Sequence, residues 1–138
     1  MQLDDNEALA RRWAAAVASG DERAFAELLA PDVADISAAV PVAGTEPFLA
    51  RSRAVHAAFG AVSVSVDELV SAGAALAWRF TLRGEHRAPF LGVAATGRPI
   101  AVSGVNFQLV EAGRVRRHFT LLDRLALLEQ LRGPLTRA

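Results

Sequence analysis

The sequence predicts an α+β fold, with helices gathered on one face of an antiparallel sheet. Two observations predict it. Up to Gly60, apolar side chains recur at helical spacing; from Ala61 onward they alternate with polar ones in strand-length runs. No linker, repeat or low-complexity tract interrupts the 138 residues, which predicts a single domain, 1–138.

The elements follow in order. Asp4 and Glu7 have the spacing of a capping box, so a first helix is expected there. Leu9, Trp13 and Val17 give it an apolar stripe, and Ser19-Gly20-Asp21 breaks it. A second, short helix carries Phe25, Leu28 and Leu29 on one side and is expected to end at Pro31. Val33 to Val40 reads as a short strand. Thr45-Glu46-Pro47 starts a third helix with a hydroxyl cap and a Pro where no N–H is needed. Phe48, Val55 and Phe59 form its stripe, and Gly60 is placed to end it.

The pattern then changes to period two. Val62, Val64 and Val66 alternate with serines. Ala72-Gly73 turns the chain, and Leu76, Trp78, Phe80 and Leu82 alternate in a second strand. A loop is expected from Gly84 to Pro99, a third strand from Ile100 to Val110, a turn at Ala112-Gly113 and a fourth strand from Arg114 to Leu122. Asp123 precedes a closing helix with Leu125, Leu128 and Leu131.

Composition excludes several functions. Apolar residues make up 52% of the chain, ample for a packed interior. Lys+Arg 15 balances Asp+Glu 15, so no basic face for nucleic acid is expected. There is no cysteine, which removes disulfides, thiolate metal sites and a thiol nucleophile. His56, His86 and His118 lack short metal-ligand spacing, so no metal is expected. The segment Met1 to Glu7 lacks the pattern of a signal peptide, and no apolar run approaches the ~20 residues of a membrane helix. A cytoplasmic protein with no membrane partner is the expectation. With no tyrosine, any acid or oxyanion stabiliser comes from other groups.

Several segments carry a resemblance. They are Gly84-Glu85-His86 with Phe90-Leu91-Gly92, Ala95-Thr96-Gly97-Arg98, Gly113-Arg114-Val115 with His118-Phe119, and Asp123 with Leu127-Leu128-Glu129-Gln130-Leu131. On these the chain resembles the SnoaL-like polyketide cyclases and their ester-cyclase relatives. The resemblance implies the nuclear transport factor 2-like cone: N-terminal helices packed on a curved antiparallel sheet enclosing a pocket. It further implies a cofactor-free intramolecular aldol cyclisation of a hydrophobic polyketide, and a homodimer or higher homo-oligomer paired through the sheet. Such chemistry needs one base and a dry pocket that brings two carbons together, and proximity can supply roughly 7–11 kcal/mol.

The resemblance also implies site residues. Asp123 matches the family's acid/base; as a residue type it also suits a helix N-cap. Asn106 stands where relatives commonly carry His, and can bond an enolate but not act as a base. Arg79 matches an Arg of the limonene epoxide hydrolases, but Thr81 replaces the acid that chemistry needs beside it. An isomerase of the ketosteroid type would need a Tyr. His86, His56 and His118 are substrate-binding candidates, as are Trp13 and Phe119, with Trp78, Phe90 and Phe107 as further walls. Catalysis, passive binding of a hydrophobic ligand and simple dimerisation all remain open at this level. An enclosed cavity with Asp123 facing in would favour the first, and a filled cone the last.

Overall fold

The computed structural model describes residues 2–133, with side chains from Asp5 onward. The element order is α1 (Gln2–Ser19), α2 (Glu22–Glu27), β1 (Leu29–Asp35), β2 (Val42–Ala43), α3 (Glu46–Ala58), β3 (Phe59–Ala72), β4 (Ala75–His86), β5 (Pro99–Glu111), β6 (Arg114–Leu122) and α4 (Arg124–Arg132). One six-stranded, unclosed sheet runs in the order β2-β1-β6-β5-β4-β3. Strands β3 to β6 are the expected antiparallel meander, but β1 joins β6 in parallel, so that edge is mixed. None of the described helices is long and apolar enough to cross a membrane.

Local chemistry explains where expectation and structure part. Asp4 lies inside α1, which begins at Gln2, and its side chain is outside the described set. Leu9, Trp13 and Val17 do face inward. Buried Asn6 pins the same helix to the β3–β4 turn by donating to Ser71 Oγ at 2.6 Å and the Gly73 carbonyl at 2.9 Å. Helix α2 stops at Glu27, not at Pro31, because Leu29 already belongs to β1. Pro31 sits where the β1–β6 register slips, between Leu29 and Ala34, a place where a strand needs no donor. The strand expected over Val33 to Val40 therefore lies earlier.

Thr45 caps α3 through its carbonyl, which accepts from Phe48 and Leu49, and its hydroxyl makes no cap bond. Phe59, not Gly60, closes α3 and opens β3 directly. The long loop shrinks at both ends, since β4 runs to His86 and β5 starts at Pro99. In α4 the inward residues are Leu127 and Leu131, while Leu125 is exposed.

Two bulges bend β3 against β4, between Gly60 and Ser63 and between Val66 and Glu68. The curved sheet then holds two cores. One is built by Leu9, Trp13, Phe25, Phe48, Leu76 and Trp78 under α1 and α2. The other gathers Phe59, Ile100, Val102, Leu127 and Leu131 under α4. Burying each large side chain contributes about 1.5–3 kcal/mol.

Gly104 lies between the cores. A Cβ there would come within 2.3 Å of the Phe80 ring and 2.9 Å of the Leu121 carbonyl oxygen. Replacing Gly104 by Ala is expected to destabilise the fold by about 1–3 kcal/mol through overpacking. Urea unfolding should show this as a lowered midpoint with an unchanged slope.

Candidate functional site

The two cores share the sheet but do not meet above it. Between them lies a cavity of about 220 Å³.

Its floor follows from strand register and alternation. Trp78, Asn106 and Thr120 lie side by side across β4, β5 and β6; Phe80, Gly104 and Leu122 form the next row. Leu76, Gln108 and His118 form the row beyond. The walls are aromatic. Trp13 from α1 stacks on His118 at 4.9 Å between ring centroids and 20° between planes. It meets Phe25 edge-on at 4.7 Å, and Phe48 lies 5.3 Å from His118. Val17, Val55, Val64 and Leu82 complete an apolar lining.

The polar groups are few. Asn106, His118, Thr120 and Ser52 line the cavity, with Arg51 and Arg124 as the cations. Arg51 is held by Asp35 at 2.5 Å and lies over the Phe48 ring at 4.9 Å. Burial alone would raise the Asp35 carboxyl; the Ser37 hydrogen bonds and the Arg51 charge outweigh it and hold the group below its ordinary value. His118 is held down near 4 by burial, with Asp35 pulling upward and Arg51 downward. It is therefore neutral at pH 7. Among the described residues no group of His, Cys, Asp and Glu is arranged to hold a metal ion.

Of the residues singled out in the sequence, Trp13, Asn106 and His118 come together here, with Trp78 as a wall. Asp123 follows the lining residue Leu122 and precedes the lining residue Arg124, but is not itself a wall. Its side chain is exposed, and its Oδ1 accepts from the Ala126 N–H at 3.0 Å as the N-cap of α4. The parity is the physical reason: His118, Thr120 and Leu122 point in, so the next residue starts outward.

The other candidates lie elsewhere. Arg79 is on the outer sheet face, bonded to Glu68 at 2.8 and 3.0 Å. His56 donates to the Val17 carbonyl at 2.7 Å and so ties α3 to the end of α1. His86 is fully buried beside Phe59, and its Nδ1 accepts from the Thr96 N–H at 3.3 Å and lies 2.9 Å from the Thr96 hydroxyl. Phe107 is exposed on the outer face, Phe119 is its register partner there, and Phe90 packs against the second core. Gln108, Asp35, Arg51 and Thr120 were not singled out. Alternation along β5 carried a signal for Gln108, since it shares the face of Asn106. Nothing local marked Asp35 or Arg51, which reach His118 only through the β1–β6 pairing and the packing of α3.

The chain matches the family model described as SnoaL-like polyketide cyclase over residues 7–131. It is similar to the structure of TsrD from Streptomyces laurentii, at 30% identity and a TM-score of 0.86, covering 96% of this chain and 97% of that one. IdmH from Streptomyces antibioticus, a candidate polyketide cyclase, is similar at 29% identity and a TM-score of 0.81, covering 91% and 97%. AclR from Streptomyces galilaeus, a candidate hydroxylase, shares the fold at 22% identity and a TM-score of 0.87, covering 99% and 89%. No curated protein matches in sequence.

The buried imidazole has a consequence for stability. An unfolded His takes a proton near 6.5, whereas folded His118 resists it until about 4. The unfolded state thus binds more protons in that window, and stability falls as pH drops through it. The full gap corresponds to roughly 3 kcal/mol. Chemical denaturation from pH 7 to 4 should show a loss of that order, and His118→Asn should flatten that part of the slope.

Proposed function

Since the chain belongs to the SnoaL-like polyketide cyclase family, we propose that it closes a ring on a hydrophobic polyketide intermediate by a cofactor-free intramolecular aldol step, with Asp123 moving the proton. The observation that carries this reading is the cavity: apolar and aromatic walls around a short lane of neutral hydrogen-bonding groups. Aromatic walls favour a flat, partly ringed substrate, because stacking gives both contact area and orientation.

The step is balanced. A carboxylate takes a proton from a carbon between two carbonyls. The resulting carbanion forms a carbon–carbon bond to a third carbonyl carbon of the same molecule, and the oxygen there takes a proton. Nothing is oxidised or reduced. Asn106 and Thr120 supply hydrogen bonds to carbonyl oxygens whose negative charge grows during the step. Asp123 lies in the chain between the lining residues Leu122 and Arg124, and its cap bond uses only Oδ1.

One observation favours a second reading. Among the described residues no carboxylate lines the cavity, so a passive carrier of a hydrophobic ligand is the rival. For a protein partner we propose a second copy of the chain. Val105, Phe107 and Leu121 are exposed on the outer sheet face, where Val105 is the register partner of Leu121. Arg79 and Glu68 supply a charged rim.

Asp123→Asn keeps a capping oxygen and removes the base, so turnover of polyketide intermediates bearing one unclosed ring should fall about 10²–10⁴-fold with little change in melting temperature. Asp123→Ala should lose the same activity and about 1 kcal/mol of stability besides. Full turnover by the Asn variant would remove Asp123 from the mechanism, and binding without conversion by the native protein would establish the carrier. Sedimentation should find a dimer for the native chain and a monomer for Phe107→Glu; a monomeric native chain overturns the pairing.

A further inference from the structure

Along one end of the cavity floor runs a buried chain of hydrogen bonds that leaves little freedom in its protons. The Trp78 indole Nε1–H donates to Gln108 Oε1 at 3.0 Å. Gln108 Nε2 lies 3.1 Å from His118 Nδ1. All three side chains are buried. An indole nitrogen can only donate, so it selects the amide oxygen. The amide nitrogen is thereby turned toward His118, and an amide nitrogen can only donate. Nδ1 must accept. A neutral imidazole that accepts at Nδ1 carries its proton on Nε2.

Nε2 has no hydrogen-bond partner among the described residues, and the ring lines the cavity. Trp13 on one face and Phe48 at its edge hold the ring plane. The reverse tautomer would set the Nδ1 proton against the amide protons of Gln108 in a buried site. Turning the amide over to relieve that would set its NH₂ against the indole N–H.

We propose that Trp78 and Gln108 are positioning residues that fix His118 as a neutral Nε2–H donor, and that this donor binds a carbonyl oxygen of the ligand at the buried end of the cavity. This rests on the reading of the cavity as the substrate site, and it assigns His118 the role of donor, not base. Along β6 the Cα atoms of His118 and Asp123 are separated by roughly 16 Å at ~3.3 Å per residue. The two groups therefore act on different parts of one ligand, and His118 anchors a carbonyl remote from the reacting carbon.

The test has two parts. In the ligand-free protein, long-range proton–nitrogen NMR correlations should find His118 protonated at Nε2 and bare at Nδ1 from pH 5 to 8. The charged groups near it, Asp35 on β1 and Arg51 on α3, are paired with each other across that range. Gln108→Glu replaces the donor with an acceptor and should move the proton to Nδ1. Trp78→Phe keeps the ring, frees the amide and should give a mixture of tautomers. In the second part, 1,8-dihydroxyanthraquinone and anthracene serve as fluorescence probes with and without carbonyls. Gln108→Glu should weaken the quinone about tenfold relative to anthracene, the loss of one hydrogen bond.

An Nδ1–H tautomer in the native protein, or an unchanged ratio of the two probes in a variant whose tautomer has moved, overturns the proposal. So does failure of the quinone to bind the native protein. These outcomes are read without turnover, so they are separate from loss or survival of the cyclase reading, which Asp123→Asn decides.

Discussion

The hydrogen bond from the Trp78 indole to Gln108 is the constraint on which the interior depends. In a buried site each polar atom needs a partner, and an unmet buried group costs about 1–3 kcal/mol. The indole has one proton and one way to place it. That choice orients the amide, the amide orients the imidazole, and the imidazole presents its remaining proton to the cavity. The chain is possible only in this register. Leu76 faces Gln108 and Gln108 faces His118, with Trp78 one inward position along β4. A slip of one residue would send Gln108 outside and leave the indole N–H unmet in the core.

The cavity itself follows from a division of labour among the helices. α1 and α2 cover one end of the sheet and α4 the other, and each gathers its own core. Phe80 packs against the first core and Leu82 against the second, so both line the gap. Gly104 gives the Phe80 ring its place over the sheet, because any side chain there would displace it. The ion pair of Asp35 and Arg51 acts on His118 in opposed directions: the acid pulls the imidazole toward protonation and the guanidinium pushes it away. With these opposed, desolvation decides, and the ring stays neutral.

Much of this was legible in the sequence, and the reasons are specific. The stripe Leu9, Trp13, Val17 placed α1 correctly because helical period and burial agree there. The alternation of Leu76, Trp78, Phe80 and Leu82 set the inward face of β4, and Asn106 on β5 belongs to the same floor. The errors arose where a local signal had a tertiary alternative. Pro31 ends helices in general, but here it fits a register slip in β1. Thr45 offers a hydroxyl cap, but its carbonyl does the work. Arg79 and His56 carry functional-looking groups whose partners, Glu68 and the Val17 carbonyl, are visible only once the chain is folded. Asp35 and Arg51 were silent because long-range pairing has no local pattern.

The distribution of charge follows from the same physics. Asp35 is the one buried carboxylate among the described residues, and it is tied to Arg51 and Ser37. A carboxylate bound in that way is held ionised and accepts no proton near neutrality. An unpaired carboxylate in the apolar cavity would be strongly disfavoured by desolvation. On the proposed reading the cavity therefore needs two things: a proton acceptor outside its apolar lining, the part given to Asp123, and an uncharged donor inside it. The Trp78–Gln108–His118 chain meets that second requirement: it supplies a proton to a carbonyl oxygen in the dry interior without placing a charge there.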